Sequence, residues 1–201
     1  MNLTPLELDC FQEIVNMSYG EATSIIAETM DAFATLHVPN IEVYTIDKLK
    51  EYVNLKYDDS SQSFYLISQM FNGKFDGELL FLITQDSANN LAKYLNRDED
   101  LEREDILDTV MELINVVTSS TITNIAKYIN TEVYTMRPTI DEMEGSSIIT
   151  NSYSQNYSKF IIISTVMEFK DQNIVGELLI LLTEDAYVNL KEAIGDFLNG
   201  L

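Results

Sequence analysis

Tryptophan is absent, and cysteine and histidine occur once each, as Cys10 and His37. A single thiol allows no intramolecular disulfide and makes a cysteine-based metal site implausible. The opening MNLTPLELD has no basic stretch followed by an apolar run, so it does not read as a secretory signal. No stretch reaches the ~18 uninterrupted apolar residues that a membrane span needs. Positive charge is scarce too: 12 Lys and Arg stand against 33 Asp and Glu, for a formal charge of −21. Such a field repels phosphate backbones and anionic lipid, so nucleic acid and membrane surfaces are excluded as expected partners. At long range it favours a basic or metal-bearing protein. These absences predict a cytoplasmic protein.

What is there suits a globular chain. Apolar residues make up 46% of the sequence, too many for a disordered segment. The 201 residues suffice for one domain with a real core, or for two small ones. Thr4-Pro5 opens a helix running to Met30, with Thr4 as N-cap and Glu7 placed as in a capping box. Leu8, Phe11, Ile14, Val15, Ala22, Ile25 and Ile26 form its apolar face. Asp9, Glu13, Asn16 and Gly20 stack on the opposite, solvent-facing side.

Residues 34–45 alternate and are β-branched, which predicts a strand with Pro39 at an edge or bulge. IDKLKEYVNL after it reads as a short helix or as irregular chain, and YDDSSQS as a polar loop. Ser63–Gln69 and Gly77–Thr84 predict a hairpin with its turn at Asn72-Gly73, followed by a helix to about Leu95. The charge run 96–105 is a solvated linker that supplies the acidic first turn of the next helix. That helix spans about 104–130, followed by a short β-like piece at 132–138 and a polar loop over 139–158. Strands at 159–169 and 174–183 and a helix at 184–198 complete the chain.

The two halves repeat. At an offset of 99, Asp9, Glu13, Asn16 and Pro39 match Asp108, Glu112, Asn115 and Pro138, and GELLFLIT at 77 matches GELLILLT at 176. The repeats span about 4–96 and 103–195. Folded separately, each would expose an apolar sheet face. The expected fold is therefore one pseudo-two-fold α/β domain of the α+β type, with a shared, mostly antiparallel sheet and helices packed on it.

A polar stripe on an amphipathic helix is ordinarily only a solvated face. Here the pattern of drift points elsewhere. Core positions have changed (Phe11 to Val110, Ile14 to Leu113, Ala22 to Thr121), whereas the stripe's Asp, Glu and Asn have not. Surface positions are the cheapest to change for stability, so their retention argues for a contact surface. No His, Cys or Lys stands beside Glu and Asn in the stripe, which disfavours nucleophilic or His-based catalysis. One or two carboxylates and an amide make a thin metal cage. A third chemistry remains: the carboxylate pairs with a partner's cation while the amide enters the partner's site and holds a water. One turn beyond Asn stands a small residue in both copies, Gly20 and Ser119, which would let a partner approach closely. His37 is expected as a half-buried structural residue of the strand, Cys10 as packing, and the 11 tyrosines as strand and core residues.

The pattern D-x3-E-x2-N-x22-P, present twice and in full, resembles the signature of the CheC/CheX/FliY family of chemotaxis phosphatases. The length, the two copies and the paired hairpins look like CheC. The resemblance implies two motif helices exposed on one side of the fold. It implies hydrolysis of the aspartyl phosphate of a phosphorylated CheY-type receiver. Glu13 and Glu112 would pair with a receiver lysine, and Asn16 and Asn115 would orient the attacking water. The protein would carry no cofactor of its own, with Mg2+ supplied by the receiver. It would be a monomer, with CheD as a further partner. Asp9, Asp108, Gly20, Ser119, Pro39 and Pro138 would support the motif, the prolines by shaping the chain beneath it. The sequence departs from many members in having Val15 and Ile114, not Gly, before each Asn.

Overall fold

The computed structural model describes residues 3–200 apart from 32, 34, 38–39, 46, 49–50, 53–62 and 145–158. Helix α1 covers Pro5–Met30. Its capping box forms as the sequence predicts: Glu7 N donates to Thr4 Oγ1 at 3.3 Å and Thr4 N to Glu7 Oε2 at 2.6 Å. The bonds Thr4 gives hold the Glu7 carboxyl below the usual carboxylate range. Strands β1 (Thr35–Leu36) and β2 (Asn40–Thr45) follow. The single strand expected over 34–45 is thus split. Pro39 lies in the break, outside the described residues. Of the IDKLKEYVNL segment, residues 47–48 and 51–52 are helical; the rest lies outside the described residues, as does nearly all of the YDDSSQS loop.

The first hairpin is β3 (Ser63–Gly73) and β4 (Gly77–Thr84). Its turn sits at 74–76, not at Asn72-Gly73, because those two residues pair with Tyr134 and Val133 of the neighbouring strand. Helix α2 (Gln85–Asn96) is capped by Thr84, and α3 runs Arg103–Tyr128. Glu102 N donates to Asp105 at the start of α3, so the acidic run ends as a cap.

Strands β5 (Val133–Thr135) and β6 (Thr139–Glu144) come next. The polar loop expected from 139 therefore begins later. TIDEME pairs with β3 along its whole length, at the rim of the sheet, where charged side chains can stay in water. Residues 145–158 of that expected loop lie outside the described residues. Strands β7 (Lys159–Phe169) and β8 (Ile174–Leu182) form the second hairpin, and α4 (Glu184–Asn199) is capped by Thr183, the repeat equivalent of Thr84.

All eight strands join one sheet in the order β1-β7-β8-β4-β3-β5, with β2 also on β7 and β6 also on β3. Every pairing is antiparallel. At its centre Leu80 faces Leu179, its own repeat equivalent, which places the pseudo-two-fold axis between β4 and β8. The main core lies between one face of the sheet and the helices, around Phe11, Tyr19, Phe71, Phe81, Phe169 and Leu178. Phe64, Leu66, Leu80, Leu82, Leu179 and Leu181 alternate with these strand residues and are buried as well. Burial on both sheet faces explains why GELLFLIT and GELLILLT are apolar without alternation. No described helix is long and apolar enough to cross a membrane.

Four side chains depart from expectation. Ile25, counted on the apolar face of α1, is 44% exposed, because that helix packs on a narrower stripe than its sequence offers. The side chain of His37 is 56% exposed, since the chain breaks between β1 and β2 at that residue. Tyr134 and Tyr94 are exposed, whereas Tyr19, Tyr65 and Tyr187 are core.

Candidate functional site

The stripe lies where helix periodicity puts it, on α1 and α3. Asp9, Glu13, Asp108 and Glu112 are exposed, while Asn16, Gly20, Asn115 and Ser119 are half-buried. The two helices pack against each other, and Tyr128 of α3 donates to Glu21 of α1 at 2.5 Å. The amides are thus less open than a solvated stripe would be. Each is followed by a partly exposed apolar residue, Met17 or Val116. Among the described residues no three His, Cys, Asp or Glu side chains cluster in a way that could hold a metal.

The second copy contains a residue that sequence reasoning passed over. Gln69 of β3 is 1% exposed and lies beneath Asn115. Its Nε2 is 2.8 Å from Asn115 Oδ1, 2.8 Å from the Met136 carbonyl and 3.0 Å from Ser119 Oγ. Its Oε1 accepts from Thr118 Oγ1 at 2.5 Å. Ser119 Oγ lies 3.3 Å from Asn115 Oδ1 and 3.2 Å from Thr135 Oγ1. Ser119 is therefore a member of this cluster, not merely a small gap for a partner. Pro138, which is buried, follows Met136 by two residues, between β5 and β6. A signal for Gln69 did exist: it is in phase with the core residues Tyr65, Ile67 and Phe71, where a lone amide must find partners.

Among the described residues the first copy has no such cluster. Met136 N donates to Met70 O, and its equivalent His37 N donates to Val166 O, so β3 matches β7 at an offset of 96, not 99. The second hairpin is longer by that difference, and the preceding connection is shorter. Thr165, which carries no amide, thus stands where β3 has Gln69, and Tyr19, Gly20 and Leu36 stand where α3 and β5 have Thr118, Ser119 and Thr135. The Asn16 side chain has no hydrogen-bond partner among the described residues. On α1 the buried hydroxyls of Ser18, Tyr19 and Thr23 have no partner either.

With this geometry in view, the chain can be set beside known proteins. A family model for the chemotaxis phosphatase CheX matches residues 65–159, which include Gln69, Glu112 and Asn115 but not Glu13 or Asn16. No protein of curated function matches the sequence. The fold resembles that of Thermotoga maritima FliY at 16% identity, covering 98% of this chain and 100% of that one with a TM-score of 0.75. It resembles the FliM middle domain of H. pylori at 14% identity, covering 95% and 99%, with a TM-score of 0.63. It also resembles CheX of Desulfovibrio desulfuricans at 12% identity, covering 84% and 98%, with a TM-score of 0.57. The α+β fold with its antiparallel sheet is thus shared with FliY, FliM and CheX; the finer assignment to CheC does not follow from these matches.

Proposed function

We propose that this chain is a phosphatase of the CheC/CheX/FliY type, acting on the aspartyl phosphate of a CheY-like receiver. The observation that carries the reading is the Glu–Asn pair at positions i and i+3 on α3, Glu112 exposed and Asn115 anchored from below, with Glu13 and Asn16 repeating it on α1. The match of the CheX family model across Glu112 and Asn115 supports it.

In this reading the chain supplies no nucleophile. Glu13 or Glu112 pairs with a lysine of the receiver and fixes the register of the docked helix. Asn16 or Asn115 enters the receiver's site and orients a water in line with the scissile P–O bond. Water oxygen bonds to phosphorus, the P–O bond to the aspartate breaks, and inorganic phosphate and a free carboxylate result. Positioning of this kind suffices because phosphoryl transfer is governed by orientation and charge stabilisation. The Mg2+ is the receiver's. Asp9 and Asp108 border the contact, and CheD is a further candidate partner of the same surface.

The test is phosphate release from a phosphorylated receiver. Asn16→Ala/Asn115→Ala should lose about 10²-fold or more of the acceleration, the scale for removing one oriented polar group. A double variant as fast as wild type would end the catalytic reading. A second reading, a flagellar switch component, is favoured by the nearly full-length likeness to FliY and the FliM middle domain. It predicts stable binding to flagellar switch proteins with no acceleration of hydrolysis.

A further inference from the structure

The two amides are held differently, and hydrogen-bond chemistry fixes how. The Met136 carbonyl can only accept, so the Gln69 atom 2.8 Å from it must be the nitrogen. That leaves Nε2 a second hydrogen, and the Asn115 atom 2.8 Å away must then be an oxygen. The Thr118 hydroxyl then donates to Oε1 at the other end of the same amide, in keeping with the orientation that the Met136 carbonyl sets. A backbone carbonyl thus sets Gln69, and Gln69 sets Asn115: Oδ1 inward and engaged, Nδ2 free to face a partner.

We infer that Gln69 is a positioning residue for Asn115, and that it makes the second copy the pre-set site and the first copy the unset one. The inference rests on the phosphatase reading for its kinetic consequence only. With Oδ1 engaged, Asn115 offers N–H donors, to a lone pair of the attacking water or to a phosphoryl oxygen. It does so without first losing side-chain freedom on docking. Asn16 must be ordered by the receiver itself. Gln69 touches neither water nor phosphate, so its effect passes wholly through Asn115.

The full-length chain allows two independent tests. Side-chain 15N relaxation should show the Nδ2 group of Asn115 rigid and that of Asn16 mobile, and Gln69→Met should release the former; equal mobility in wild type would overturn the inference. In phosphate release, Gln69→Met in an Asn16→Ala background should lower kcat about tenfold with KM nearly unchanged. In an Asn115→Ala background it should change nothing further. Equal losses in both backgrounds would mean that Gln69 merely supports the fold. Should Gln69→Met fold poorly, Ser119→Ala, which removes the hydroxyl that also contacts Asn115 Oδ1, should show the same asymmetry to a smaller degree; no asymmetry would overturn the inference. If wild type does not hydrolyse the phosphoprotein at all, the function reading fails, while relaxation still decides the placement of Asn115.

Discussion

At Gly176 an added Cβ would lie 2.2 Å from Cζ of Phe81, whose ring is fully buried over that strand position. At its equivalent, Gly77, the Cβ would lie 2.3 Å from the Leu181 carbonyl oxygen. The glycine that opens both GELL segments is thus required for space. Alanine in a strand would ordinarily gain stability over glycine, so the sign of the substitution is informative. Gly176→Ala should lose about 1–3 kcal/mol by overpacking, and thermal unfolding should show a Tm lower by several degrees. A rise in Tm would mean that Phe81 moves aside freely. Gln69 makes the same point for polar groups. Its residue type and phase are readable, but the acceptors it serves come from α3 and from the chain after β5, far away in sequence.

The helices α1 and α3 are repeat equivalents in which buried polar groups have been treated oppositely. On α3, Thr118 donates to Gln69 and lies 2.8 Å from the Ile114 carbonyl, and Thr121 donates to the Val117 carbonyl. On α1, the buried Thr23 hydroxyl has no partner among the described residues, and its equivalent on α3 is Ile122. A buried hydroxyl without a partner costs about 1–3 kcal/mol in lost hydration. Thr23→Val keeps the shape and removes that cost, so it should raise Tm by about 2–4 °C per kcal/mol recovered. Thr118→Val should lower Tm, because it leaves Oε1 of Gln69 with only the long contact to Ser119 Oγ at 3.4 Å. Differential scanning calorimetry of the two variants checks both signs. The extents of the long helices were legible from caps and apolar period. The strand β6 was not, because TIDEME owes its conformation to the edge of β3 and not to its own alternation.

For the whole molecule, charge and symmetry dominate. A formal charge of −21 on 201 residues implies self-repulsion in the folded state. Raising ionic strength from about 0.01 M to about 0.15 M shortens the screening length from about 30 Å to about 8 Å. Tm should therefore rise with added NaCl; a flat or falling Tm would show that the charges are already neutralised locally. The pseudo-two-fold axis between β4 and β8 gives both halves one sheet while leaving each its own motif helix. The three-residue difference between the hairpins breaks that symmetry at the strand position of Gln69, whose match on β7 is Thr165 in place of the Glu168 that the 99-residue offset would give.

The sequence by itself determined the duplication, the two motif helices with their caps, the hairpins and the pairing of Glu with Asn one helical turn on. All of these are written in local spacing and in the 99-residue offset. Only the tertiary structure decided which amide is held and by what. That depends on a strand, a helix and a backbone carbonyl meeting at one point, and no local period encodes such a meeting. It also decided that the stripe is half-sunk: the carboxylates stand in water, both amides are half-buried, and Asn115 is bonded from below by a strand residue.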